Sequence, residues 1–243
     1  MDSTGQVSFL GAPATYSPCT VQRRQVHQQP NSRDGRAIAQ QKLGLILDVY
    51  FFAGPERHGD IKHWLQYFCS KENINLEMHE FDLLRDSPGN DLALQTTQDE
   101  WLNKLHLFSA VINTPPCSTF SRAPWANRNG PVLIRSCVYP LGFPWLSVTL
   151  ARKAEAANHL IAFFWKCMHK IHTLQNRYNI TAFGEHPEDL GRIAKGEMKC
   201  TPVSIWQMQE FWALIKLGWW SGGFKQDKFG APTAKPTRGL SNS

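Results

Sequence analysis

A chain of 243 residues has room for one sizeable α/β domain, and its 42% apolar content with nine tryptophans excludes a wholly disordered polymer. The formal charge of +6 favours an anionic partner, nucleic acid before others. The six cysteines (19, 69, 117, 137, 167 and 200) show no CxxC pairing, which argues against a disulfide scaffold or zinc site. They fit an intracellular protein, nuclear if the cell is eukaryotic. The longest apolar runs, such as Leu160 to Trp165, are too short to span a bilayer, so no membrane association is expected.

Residues 1–41 are rich in Gln, Ser, Arg and Pro without periodicity and read as a flexible basic leader. Residues 42–243 read as a single core in which strands and helices alternate. Leu45–Tyr50 is a buried first strand, ending near Gly54, with Gly59 just before a helix over Asp60–Ser70. That helix carries Ile61, Trp64, Leu65 and Phe68 at helical spacing, the pattern of a core-facing side. Asn75–Phe81 reads as a second strand, and Asp82 at its tip, with Glu80 as alternate, is positioned to accept hydrogen bonds from ribose hydroxyls. Glu100–Leu107 reads as a helix end and Phe108–Asn113 as a strand.

Just past that strand lies Asn113-Thr-Pro-Pro-Cys-Ser-Thr-Phe-Ser-Arg122. Two prolines stiffen the backbone before a single thiol, at the strand end where open α/β sheets place ligands. Such a turn suits a nucleophile held at close range, or simply a rigid turn with an inert cysteine. The irregular piece from Ser118 to Ser147 contains Arg122, Arg128 and Arg135, which are candidates for gripping phosphates. Ala151–Leu174 is the strongest helix, Ile180–Phe183 a strand, and Ser204–Leu217 a further helix. This alternation implies a doubly wound, mainly parallel sheet.

Four blocks, in order, carry a resemblance to the DNA (cytosine-5) methyltransferases. Pro116-Cys117 with Phe120-Ser121 resembles their Pro-Cys-Gln-x-Phe-Ser loop, and Phe52-Ala53-Gly54 resembles their cofactor turn. Glu185-His186-Pro187 is similar to their Glu-Asn-Val or Glu-Asn-Pro. Gly230-Ala-Pro-Thr-Ala-Lys-Pro-Thr-Arg238 is similar to their Gly-Val-Pro-Gln-x-Arg-x-Arg.

The resemblance implies a Rossmann-like fold that transfers a methyl group from S-adenosylmethionine to carbon 5 of cytosine, in DNA before RNA. It implies Cys117 and Glu185 as catalytic residues. Phe52, Ala53, Gly54, Asp82 and Asp91 would bind the cofactor. Ser118, Ser121, Arg122, Arg128, Arg135, Lys235 and Arg238 would meet nucleic acid. The pattern departs at Tyr50, where the family has an acid and Asp48 is displaced by two. It also departs at Ser118 for glutamine, at His186 for asparagine, and at Thr237 for the second arginine in strict register. The chain stops soon after the last block, so the expectation is a minimal core without a recognisable target-recognition region. The alternative is a catalytically inactive nucleic-acid-binding or scaffolding module that keeps the fold, derived from a mobile element.

Overall fold

The computed structural model describes residues 45–56, 59–82, 91–126, 131–191 and 202–243. The expected leader and Arg128 lie outside the described residues.

Six strands form one sheet: β1 (Leu45–Phe51), β2 (Asn75–Phe81), β3 (Ala110–Asn113), β4 (Thr181–Pro187), β5 (Trp220–Lys225) and β6 (Pro236–Ser241). Their spatial order is β2-β1-β3-β4-β6-β5. All run parallel except β6, which is antiparallel to both of its neighbours. The mainly parallel sheet matches the expectation from strand and helix alternation. After β2 the chain returns to the opposite side of β1 to form β3. This reversal is a topological switch point at the carboxyl ends of β1 and β3, the position where such sheets usually hold ligands.

The longer helices are α1 (Ile61–Lys71), α2 (Gln95–Lys104), α3 (Val148–Tyr178) and α4 (Gln209–Lys216), with a further single turn at Ala123–Ala126. Strand alternation assigns them to the two faces of the sheet. Phe51 and Phe81 point towards α2 and α3, where Phe51 meets Trp101 and Phe163 edge-on. Glu80, the neighbour of Phe81, points the other way and is 2.9 Å from Lys62 of α1. The core lies mainly under α3, whose Phe163, Phe164, Cys167, Met168 and Ile171 are fully buried. Gly184 of β4 makes this packing possible, because a Cβ there would meet the Phe164 ring at 2.8 Å.

Three expectations need correction. In α1, Asp60 caps the first turn through the His63 N–H, but no residue of the helix is buried and Trp64, Tyr67 and Phe68 are exposed. Along its apolar spacing Ile61 and Leu65 are half-buried, whereas Trp64 and Phe68 face solvent. The helix expected over Ser204–Leu217 is broken, since Ser204 and Gln207 form a capping box around a short 3-10 turn and Met208 is extended before α4 begins. The strand expected over Ile180–Phe183 runs on to Pro187, so Glu185 lies within the sheet rather than past it.

The cause of that extension is β6. Pairing aligns Glu185 with Gly239 and Pro187 with Thr237, so the chain from Pro236 onward is an interior strand of the sheet. β5 and β6 carry glycines where strands rarely do. A Cβ on Gly222 would strike the Trp220 ring, one on Gly223 would strike the Glu188 carboxylate, and one on Gly239 would crowd Phe183. No helix among the described residues is long and apolar enough to cross a membrane.

Candidate active site

The carboxyl edge of the parallel strands gathers most of the expected site residues. The chain leaves β1 through Phe52, which has φ of 63°, a strained conformation for a non-glycine residue. It is held there by two bonds, as the N–H groups of Phe52 and Ala53 both donate to the Phe81 carbonyl at 2.7 and 3.1 Å. Gly54 follows with φ of 70°, and the space where a Cβ would stand is open to 4 Å. A ligand can therefore approach this backbone closely. The Gly54 N–H donates to Asp82 Oδ2 at 2.9 Å, so the acid at the tip of β2 shapes the turn directly.

The Cys117 loop is laced to the same turn by Thr114, which the sequence reading did not single out. Its N–H donates to the Phe51 carbonyl at 3.3 Å and its hydroxyl to the Phe52 carbonyl at 3.1 Å, with Tyr50 Oη 3.4 Å away. A small hydroxyl residue directly before a Pro-Pro pair is the signal that was available. Tyr50, standing where an acid was expected, thus takes part in joining β1 to β3. Asp48 is buried within β1, and burial raises its carboxyl to about 6.

Four thiols are described, and their surroundings differ. Burial pushes the Cys167 thiol up to about 12, which makes it inert at neutral pH. Cys69 sits on α1, where burial and the Asp48 charge both raise it. Cys137 is exposed on the loop before α3. Cys117 is partly accessible, and the turn Phe120 N–H to Cys117 carbonyl at 3.1 Å fixes its backbone. Among these, Cys117 is at the carboxyl edge beside the β1 turn.

Glu185 lies on the same edge two residues before the end of β4. Burial raises its pKa above the ordinary carboxylate value, while the Lys235 ammonium and, after it, the nearby Thr237 hydroxyl oppose that rise. Lys235 Nζ is 3.6 Å from Glu185 Oε1. A buried carboxyl held in this balance retains its proton more readily than a solvated one, as a general acid requires. His186 was expected to replace a residue bracing Glu185. Alternation along β4 sends it to the opposite face, fully buried near Trp206 with neither ring nitrogen hydrogen-bonded. It does not brace Glu185.

The remaining residues divide clearly. Ser118 is exposed and Ser121 half-buried, on the loop beyond Cys117. Arg122 donates to the Leu190 carbonyl at 3.1 Å, closing one side of a small cleft with Phe120, Glu188 and Ser204. Arg238 is tied to Glu188 at 2.8 Å and to Ser221 at 3.2 Å, so it braces the β5–β6 pair. Asp91 accepts from the Ala93 N–H at 2.9 Å and caps its own turn. Glu80, the alternate ribose acid, is engaged by Lys62 on the far face.

Arg135 is the clearest correction. Expected to meet phosphate, it is 1% exposed, with its guanidinium 3.9 Å above the Phe120 ring. It donates to the carbonyls of Pro140 and Ala154 at 2.7 and 3.0 Å and to Asn158 Oδ1 at 2.6 Å. A cation so enclosed organises the loop and cannot reach an external anion. No protein-family model matches the chain, and no curated protein matches it.

Proposed function

We propose that the protein transfers a methyl group from S-adenosylmethionine to carbon 5 of cytosine in nucleic acid, DNA before RNA, on a Rossmann-like methyltransferase fold. The observation that carries this reading is Thr114, which fastens the Pro-Pro-Cys loop to the Phe52–Gly54 turn at the β1/β3 switch point. Two of the motifs on which the resemblance rests thereby become one structure.

The residues at the β1 turn fit the cofactor. The open space beside Gly54 admits close contact, and Asp82 stands at the tip of the adjacent strand, where ribose hydroxyls are held in comparable sheets. Phe52, Ala53, Gly54 and Asp82 would hold it, whereas Asp91 is committed to its own turn. When bound, S-adenosylmethionine supplies an electrophilic methyl group on a sulfonium.

The chain's own residues supply the activation of the base. Cytosine is a poor nucleophile at carbon 5. Addition of the Cys117 thiolate at carbon 6 breaks the 5,6 double bond and gives carbon 5 the character of an enamine. A protonated Glu185 holds a proton at ring nitrogen 3, so negative charge does not accumulate on the ring. Lys235 keeps Glu185 in place and tunes how readily it holds that proton.

A second reading, an inactive nucleic-acid-binding module, is favoured by two observations. Glu185 lacks His186 as a brace, and Arg238 serves the fold. Trapping separates the two. DNA carrying 5-fluorocytosine should form a covalent adduct in the presence of S-adenosylmethionine, because fluorine cannot leave in the elimination step. Cys117→Ser should abolish the adduct and Cys137→Ser should not. An adduct that survives loss of Cys117, or its absence with both DNA and RNA, overturns the methyl-transfer reading.

A further inference from the structure

We infer that Trp145, backed by Phe143 and flanked by Tyr139, is a stacking platform for an unpaired nucleobase, so that the protein favours single-stranded or locally opened nucleic acid over closed duplex. The inference rests on the nucleic-acid reading above and narrows its substrate class. The Trp145 ring lies flat on Phe143, with centroids 5.0 Å apart and planes 10° from parallel. Phe143 is buried beneath it, and Trp145 is 65% exposed. Tyr139 stands edge-on to the indole at 5.4 Å. One ring is thus anchored and the other presented to solvent.

The loop that carries these rings is held rigidly. Ser136 and Tyr139 exchange backbone bonds at 3.3 and 3.1 Å, and the Phe143 N–H donates to the Ile134 carbonyl at 2.9 Å. From the α3 side, Asn158 donates to the Leu141 carbonyl at 2.9 Å, while the buried Arg135 bonds the Pro140 carbonyl from within the loop. Gly142 has φ of 130°, and a Cβ there would meet Ala154 at 3.2 Å. Through its stack on Phe120, Arg135 also links this loop to the Cys117 turn. An aromatic surface fixed in advance binds with little loss of conformational freedom.

Charge indicates the partner. No Asp or Glu occurs from Trp101 to Ala154; of the described cations in that stretch Arg135 is buried and Lys104 pairs with Glu100, which leaves Arg122, Arg152 and Lys153 to meet an anion. Arg152 and Lys153 are exposed in the early turns of α3, shortly after the platform. Aromatic faces combined with uncompensated cations are the recognition chemistry of single strands, because bases stack on the rings while the cations follow the phosphates. Bases inside a duplex are already stacked and gain nothing from the platform. Val138, Leu141 and Val148 are also exposed around it, and an anionic lipid surface is therefore the competing partner to test.

The experiment compares wild type, Trp145→Ala and Trp145→Phe by anisotropy on a labelled single strand of about twelve nucleotides and on its blunt duplex. The alanine variant should weaken single-strand binding by about ten-fold or more and leave duplex binding unchanged, whereas phenylalanine should retain most of the affinity. Equal losses on strand and duplex, or no loss on the strand, overturn the platform. Sedimentation with phosphatidylserine vesicles that requires Trp145, alongside unchanged strand binding, overturns it in favour of a membrane surface. If wild type binds no nucleic acid at all, both this inference and the proposed function fail. If the 5-fluorocytosine adduct forms and Trp145→Ala keeps full strand affinity, the inference fails and the function stands.

Discussion

Lys235 Nζ lies 3.6 Å from Glu185 Oε1, across the antiparallel pairing of β4 with β6. The two residues sit 50 positions apart in sequence and meet because β6 folds back between β4 and β5. Burial raises the Glu185 pKa and Lys235 restrains the rise. Replacing Lys235 with methionine removes the restraint, so the Glu185 pKa should move further upward. Carbon-13 NMR titration of labelled glutamate side chains measures this directly. A Glu185 resonance that titrates at the same pH, or lower, in Lys235→Met would show that the ammonium does not govern the proton.

Arg122 and Arg135 were alike on paper and differ in the fold, and this gives a second prediction. Arg135→Ala removes a buried guanidinium that makes charged hydrogen bonds to two carbonyls and an amide, and should destabilise the protein by about 3 kcal/mol. Arg122→Ala removes one accessible bond and should shift stability by less than about 0.5 kcal/mol. The same Arg122 change should reduce the salt dependence of nucleic-acid binding by roughly one unit of slope. Urea unfolding and salt titrations decide the matter. Similar stability effects from both substitutions would contradict the burial of Arg135.

What could be read from the sequence was what strong local patterns encode. The apolar patterns of β1, β2 and α3 are strong enough to place them: Asn75–Phe81 coincides with β2, Leu45–Tyr50 falls one residue short of β1, and Ala151–Leu174 lies inside the longer α3. The carboxyl-edge position of Cys117 was also readable, since a β-branched run followed by Pro-Pro marks a strand end. β5 and β6 were not readable, because their glycines and prolines make them strands only through contacts made elsewhere, such as Gly239 against Phe183. Arg135 was misread for a similar reason. An arginine in a polar-looking loop gives no local sign that Phe120 and the carbonyls of Pro140 and Ala154 will enclose it. The helical spacing in α1 misled in the opposite direction, since periodicity reports a face without reporting what covers it.

The contact of Gly184 with Phe164 predicts a sharp steric response. A methyl group at position 184 would stand 2.8 Å from two ring carbons of Phe164 and 3.2 Å from Met168 Cε. Gly184→Ala should destabilise the protein by about 1–3 kcal/mol through overpacking. Adding Phe164→Leu, which vacates the collision, should recover part of the loss. Urea midpoints of the three variants test it. If the double variant is no better than the sum of the single changes, the crowding lies elsewhere.

The pH dependence of stability should reveal two buried groups that oppose each other. His186 is neutral in the fold, with its pKa lowered to about 3 from 6.5 by burial and then by the Lys235 charge. Between those values the unfolded chain holds a proton that the native protein does not, so stability falls as pH drops below 6.5. Asp48 is raised to about 6 from 3.8 by burial, against a backbone bond near Ala110. There the native protein holds the extra proton, so stability falls as pH rises from 3.8 through 6. Each group contributes a slope of about 1.4 kcal/mol per pH unit, with opposite sign, and the two nearly cancel across the shared window. Asp48→Asn should uncover the histidine, so that the variant loses stability on acidification relative to wild type. His186→Asn should uncover the aspartate and reverse that trend. Comparing urea midpoints with wild type at each pH removes the titrations common to all three proteins. Parallel pH profiles for wild type and Asp48→Asn would mean that the carboxyl is not the buried proton holder its place in β1 implies.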